Sequence, residues 1–309
     1  MSKVACPIRL GYCCVNLSLG EKFKTMQLGW ALKNPTLVKQ KWEAVVSHNF
    51  ELLAKIFEWN IKEGIWLYRV TGEIVPFADH RELSGMWQNL LDSKKMRAKT
   101  GLATLADVSR RYIEMGGRIT THPAQYVSLG SSSPETRKNS RLNLEYHSVL
   151  MAELGTPPTW EHPINIHISN GSKGEAVVDL VKESLTKLSD DCRSRLVFEN
   201  EQSGFWTVGN IHKFFPEIPI TIDYHHHRIN PTKGMSSQKV EKIVRGSWRG
   251  IRPVCHWSEG RDHPYDPAHS EYITRLPKTS FDIEVEAKAK DWAILPFLPI
   301  PRVSSRPPR

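Results

Sequence analysis

The chain has 309 residues, 39% of them hydrophobic, with a formal charge of +9 and 13 histidines. That length suits one large core, and no stretch approaches the roughly 20 apolar residues of a membrane span or opens like a signal peptide. Cys6, Cys13, Cys14, Cys192 and Cys255 are odd in number and contain no Cys-x-x-Cys pair, which speaks against a disulfide framework and a thiolate zinc site; the basic balance suits a polyanionic partner.

Taken in chain order, short β-rich runs alternate with longer amphipathic or polar segments. The first run, 8–13, is followed by a helix predicted over 37–60, where Trp42, Val45, Val46, Phe50, Leu53 and Phe57 fall on one stripe and read as core packing. A second run over 65–70 leads to a loop holding His80, and a third, 118–122, ends on His122. Ser133-Pro134 predicts a helix start, with Pro in the first turn and Gly155 just past the end. The fourth run, 164–168, contains His167, and a second buried stripe follows over 174–188. The remaining runs, 195–199, 218–223, 251–256 and 281–286, finish on Glu199, Asp223, His256 and Glu286.

Eight runs alternating with helices predict an α/β fold, a single (β/α)8 TIM barrel over 1–294. Residues 295–309, with five prolines and three arginines, are set apart as a Pro/Arg-rich tail. Catalytic groups of this barrel class lie at the carboxyl ends of the strands, so the termini of the runs are the test. Six consecutive runs close on, or next to, a residue able to bind a metal. Imidazole with carboxylate is the donor set of zinc, manganese or iron. His226, three residues beyond Asp223, can face the same site; His269, in the loop after the seventh run, and His80 are further candidates. One catalytic zinc uses three protein ligands, so this supply implies two or three clustered ions, with Glu199 as the natural bridge.

The pattern resembles the UV damage endonuclease family. Arg9-Leu10-Gly11-Tyr12 with Asn16-Leu17, Tyr68-Arg69, His122-Pro123-Ala124-Gln125-Tyr126, Glu199-Asn200-Glu201, Asp223-Tyr224-His225-His226-His227, Trp248-Arg249-Gly250 and Glu286-Ala287-Lys288 carry the likeness, in order, over nearly the whole chain. The resemblance implies that His122, His167, Glu199, Asp223, His226, His256, His269 and Glu286 bind divalent metal. Mn2+ is the first choice, with Mg2+, Co2+ or Zn2+ as alternatives. It places His80 in the same pocket, and Glu199, His80 and Tyr12 carry the catalytic expectation. The implied substrate is double-stranded DNA with UV photoproducts or other distorting lesions, cut on the 5′ side to leave a 3′-hydroxyl and a 5′-phosphate. Gln125 and Tyr126 correspond to the family's lesion-probing wedge. Tyr12 and Asn16 are expected to line the groove, and Lys288 to contact phosphate.

Two positions depart from the family pattern. Val254 stands where members commonly carry a lysine modified to a metal-binding carbamate, which puts a third ion in question, and Ala124 replaces the glycine after His-Pro. The expected protein is a cytoplasmic, nucleoid-associated monomer without membrane contact. The alternatives are an abasic-site endonuclease or sugar isomerase on the same barrel, and a non-catalytic DNA-binding protein with structural metal. An oversupplied ligand set argues against the last, which would close around one ion.

Overall fold

A computed structural model describes residues 7–169 and 171–299. Eight parallel strands close in sequence order into a barrel: β1 Leu10–Cys13, β2 Leu67–Thr71, β3 Arg118–His122, β4 Ile164–His167, β5 Leu196–Glu199, β6 Ile220–Asp223, β7 Val254–Trp257 and β8 Asp282–Val285. Each lies within a predicted run or overlaps it by all but one residue. The α/β TIM barrel is therefore observed. Gly11 allows β1 and β2 to approach closely, since a Cβ there would lie 2.0 Å from the Leu67 carbonyl oxygen.

The helix predicted over 37–60 runs as Val38–Glu63 and ends at Gly64, whose φ of 71° gives the left-handed turn that releases the chain toward β2. Trp42, Val45, Val46, Phe50, Leu53 and Phe57 are all buried, so the stripe is core. Each such side chain contributes roughly 1.5–3 kcal/mol by leaving water. Ser133 caps the helix Pro134–Glu153 by accepting from the Thr136 amide, as predicted. The stripe over 174–188 forms an irregular 3₁₀ segment, Gly171–Val177, and then the helix Val178–Thr186. Among the described residues no helix is long and apolar enough to cross a membrane. Cys13, Cys14, Cys192 and Cys255 are free thiols. Cys6 and most of the proposed tail lie outside the described residues.

The barrel interior is a column of charged and polar groups. Side chains two apart on a strand share a face, so Arg118, Thr120 and His122 of β3 look inward at successive heights, as do Asp282 and Glu284 of β8 and then Glu286. At the lowest level Asp282 accepts from Arg118 (2.9 Å) and Arg9 (2.8 Å), with Arg252 at 3.3 Å. Arg118 also donates to the carbonyls of Glu161, Trp160 and Arg252. In the middle, Glu284 accepts from Thr120 at 2.5 Å and pairs with Arg69. The histidines and carboxylates of the site stand above.

Candidate active site

Glu199, at the end of β5, is fully buried and ringed by imidazoles. His122 Nε2 lies 3.3 Å from Oε2 and His256 Nδ1 3.1 Å from it, while His226 Nδ1 lies 3.3 Å and His167 Nε2 4.0 Å from Oε1. Asn165 donates to the same carboxylate. Burial works against ionisation of Glu199, but His256, His167, His122 and His226 outweigh it and hold the carboxyl well below the usual carboxylate range. The imidazoles respond to their own surroundings. Burial lowers His167 to about 4, whereas at His226 the carboxylates of Asp223 and Glu199 override burial and push it up to about 10.

Asp223 is divided between two tasks. Its Oδ1 accepts from the amides of His225 and His226 and so caps the helix Tyr224–Ile229, while Oδ2 lies 3.7 Å from His226 Nε2. That helical turn is why His226 joins the cluster. His225 turns away, its Nε2 2.9 Å from the Asp266 carbonyl oxygen. On the far side Glu286 Oε1 lies 3.3 Å from His256 Nδ1 and 2.6 Å from Arg69 Nη2, and Oε2 lies 3.7 Å from His269 Nδ1. Burial opposes the Glu286 charge, but Arg69 and His256 outweigh it and depress its pKa.

The ring nitrogens show a pattern. A carbonyl only accepts, so His122 Nδ1, 2.9 Å from the Pro123 oxygen, His226 Nδ1, 3.0 Å from that of Asn200, and His269 Nδ1, 2.7 Å from that of Glu286, each carry the proton there. In the neutral ring, the form that binds a metal, this leaves the lone pair on Nε2, the arrangement in which metal-binding histidines are held. Three buried donor or acceptor atoms, His167 Nδ1, Asp223 Oδ2 and His256 Nδ1, have no hydrogen-bond partner. In a packed interior such atoms are costly unless something absent from the chain satisfies them. His122, His167 and Glu199, and again Glu199, Asp223 and His256, bring donor atoms within 4.8 Å of one another, so either group could hold a metal ion. A third group, Cys13, Glu284 and Glu286, has the same spacing, but Arg69 already pairs with both carboxylates. Val254 is buried two residues before His256 on β7 and offers no donor atom.

Gln125 and Tyr126 are exposed in the loop after β3, Tyr126 at 63%. Gln125, His122 and His167 line one small cleft, which joins this loop to the cluster. Asn143 donates 2.7 Å to Asp79 and 3.3 Å to the Tyr126 hydroxyl, anchoring the aromatic ring to the loop after β2. Burial of the hydroxyl, with Asp79 and Glu73 nearby, pushes Tyr126 up to about 12. Lys288 is exposed. His80 makes its contacts within its own loop, with Phe77 and the Glu82 amide, and is not brought against the Glu199 cluster.

The expectation for Tyr12 and Asn16 is corrected. Tyr12 is 0% exposed, its ring packed on Trp59 and Tyr68 and its hydroxyl between Asn60 and Asn16, which is itself 2% exposed. Alternation along β1 turns Cys13 into the barrel and Tyr12 outward beneath the helix Val38–Glu63, so neither Tyr12 nor Asn16 lines an open groove. Sequence reasoning also missed Arg69, Asn165 and Glu284. Inward alternation from His122, His167 and Glu286 was the signal that could have found Asn165 and Glu284.

A model of the family described as UV-endonuclease UvdE matches residues 8–303. The UV-damage endonuclease of Neurospora crassa is 31% identical over 267 residues, covering 80% of this chain and 39% of that protein. That of Schizosaccharomyces pombe is 26% identical over 307 residues, covering 93% of this chain and 49% of that protein. The chain thus spans half or less of the length of these two relatives. The crystal structure of SacUVDE superposes with a TM-score of 0.78 at 28% identity, over 93% of this chain and 96% of that one. A match running through every strand, from β1 to β8, establishes that the chain belongs to the UV-endonuclease UvdE family.

Proposed function

We propose that this chain is a DNA repair endonuclease that nicks double-stranded DNA on the 5′ side of UV photoproducts and other distorting lesions, by metal-assisted phosphodiester hydrolysis. The observation that carries this reading is the buried Glu199 carboxylate facing four imidazoles, beside Asp223 and Glu286, at the carboxyl ends of the barrel strands. His122, His167, Glu199, Asp223, His226, His256, His269 and Glu286 would hold two or three divalent ions, Mn2+ first, with Val254 adding no ligand. Bound there, such ions supply an activated water and stabilise the leaving oxygen of an in-line displacement.

The residues of the chain do the rest. The main-chain carbonyls of Pro123, Asn200 and Glu286 orient three imidazoles before any substrate arrives. Glu199 and Asp223 supply negative charge that is already desolvated, so little reorganisation is needed during reaction. The exposed Gln125, which shares a cleft with His122 and His167, and the exposed Tyr126 beside it suit a wedge that opens the duplex. A damaged step has lost part of its stacking and costs less to open, and Tyr126 can replace what is lost. Lys288 adds a phosphate contact. The chain is expected to act as a monomer.

The test is a nicking assay on UV-irradiated and untreated supercoiled plasmid with Mn2+. Preference for the irradiated plasmid is expected; equal nicking of both would overturn lesion recognition. The Gln125→Ala/Tyr126→Ala double variant should lose lesion preference by roughly 5- to 150-fold, the equivalent of about 1–3 kcal/mol of stacking, and keep its metal content. Chelation should abolish nicking, and Mn2+ at about 100 times its Kd should stabilise the stripped protein by roughly 2.7 kcal/mol, seen as a rise in melting temperature. A melting curve indifferent to Mn2+ and to every other divalent ion tested would rule out the metal site.

A further inference from the structure

His256 is held differently from three of the other histidines of the cluster. His122, His226 and His269 have Nδ1 fixed by a main-chain carbonyl, which in the neutral ring leaves the lone pair on Nε2. His256 is turned the other way. Its Nδ1 faces Glu199 Oε2 at 3.1 Å and Glu286 Oε1 at 3.3 Å, and Nε2 points down the barrel axis. Among the described residues Nε2 meets no main-chain carbonyl. Two side chains meet it there, Glu284 with Oε1 at 3.3 Å and Arg69 with Nη2 at 2.7 Å.

These neighbours favour opposite proton positions. Arg69 has only donors, so its contact requires Nε2 to be bare and the ring proton to sit on Nδ1. Glu284 can accept, so its contact places the proton on Nε2 and leaves the Nδ1 lone pair directed at Glu199, Asp223 and Glu286. Only the second form makes His256 a ligand on the side where the other donors converge. Glu284 is itself held: Thr120 donates to Oε2 at 2.5 Å, and Arg69 pairs with it. Arg69 also reaches Glu286 at 2.6 Å, so its guanidinium can be satisfied by the two carboxylates without His256.

We propose that Glu284 is a positioning residue that selects the tautomer of His256, doing through a side chain what main-chain carbonyls do for His122, His226 and His269, and that Arg69 holds the Glu284 carboxylate in place while opposing that tautomer. The inference rests on the reading of the cluster as a divalent metal site. It explains why a barrel interior that could be apolar instead carries a buried carboxylate and guanidinium beneath His256. Partners of this kind typically govern metal affinity by 10- to 100-fold.

The experiment is Mn2+ binding to the full chain after metal removal, by titration calorimetry with metal analysis, for wild type, Glu284→Gln and Thr120→Val. Glu284→Gln is expected to weaken the tightest Mn2+ site by about 10- to 100-fold. Thr120→Val, which loses a support of Glu284 but no contact with His256, should weaken that site less than Glu284→Gln does. Equal binding by wild type and Glu284→Gln, or equal weakening in both variants, overturns the proposal. If Glu284→Gln does not fold, Glu284→Asp keeps the charge beside Arg69 but draws the oxygen back from His256, and the same loss is expected; wild-type affinity there also overturns it. Nitrogen-15 NMR of the Zn2+-loaded protein gives an independent reading. The His256 proton should be on Nε2, and a proton on Nδ1 contradicts the assignment. Failure of wild type to bind any divalent ion would instead sink the metal reading of the site.

Discussion

Replacing Glu199 by Gln is expected to lower the rate of lesion-directed nicking by on the order of a thousandfold, since metal-assisted charge stabilisation is worth several kcal/mol and about 1.4 kcal/mol is a factor of ten. The side chain keeps its shape, but the carboxylate facing His122, His167, His226 and His256 is gone. Metal content should fall with activity, because Glu199 takes part in both donor groups built from the cluster. The measurement is nicking of irradiated plasmid alongside metal analysis of the same preparation. A Gln variant that retains its metal and nicks at the wild-type rate would refute the proposed role. Loss of metal with full nicking would locate the chemistry elsewhere.

The second large effect lies at the other end of the barrel. Asp282→Ala is expected to destabilise the fold by about 3–5 kcal/mol, the usual cost of removing one member of a buried ion pair. Arg118 is fully buried, and burial lowers its pKa, so its charge depends on compensation. In the variant it would keep its bonds to the carbonyls of Glu161, Trp160 and Arg252, but not the carboxylate oxygen at 2.9 Å. Arg9 would lose its contact at 2.8 Å as well. A thermal melt should show a drop on the order of 10 °C. Because Asp282 lies two levels below the Glu199 cluster, surviving folded protein should still bind metal. An unchanged melting temperature would mean that the charged floor of the barrel contributes little to stability.

The two effects separate the ends of one polar column. At the base, charges are matched by chain residues, with Asp282 against Arg9, Arg118 and Arg252. At the mouth the match is incomplete: His167 Nδ1, Asp223 Oδ2 and His256 Nδ1 lie buried without a hydrogen bond, although His256 Nδ1 stands 3.1 Å from Glu199 Oε2. Polar groups satisfied within the chain hold a fold together, whereas buried ones left without a hydrogen bond call for a partner from outside it. The middle level, Arg69 and Glu284, lies directly beneath His256 and contacts it.

Sequence alone carried the strand count, the barrel and the gathering of strand-end histidines and carboxylates. Short β-rich runs, turn residues and the stripe through Trp42, Phe50 and Phe57 are local signals, and a closed βα barrel brings all strand ends to one rim without further information. It also singled out His226 from its neighbours by its place three residues beyond Asp223, though only the structure shows the Asp223 cap and helical turn that bring it in. Tertiary structure alone decided the facing of Tyr12 and Asn16, since β1 is only four residues long and its alternation could be registered either way until β2, β8 and the helix Val38–Glu63 were in place. The same holds for His80, whose loop closes on itself. It holds above all for Arg69 and Glu284, which come from β2 and β8 and meet His256 from β7 inside the barrel, a three-way contact that no spacing along the chain encodes.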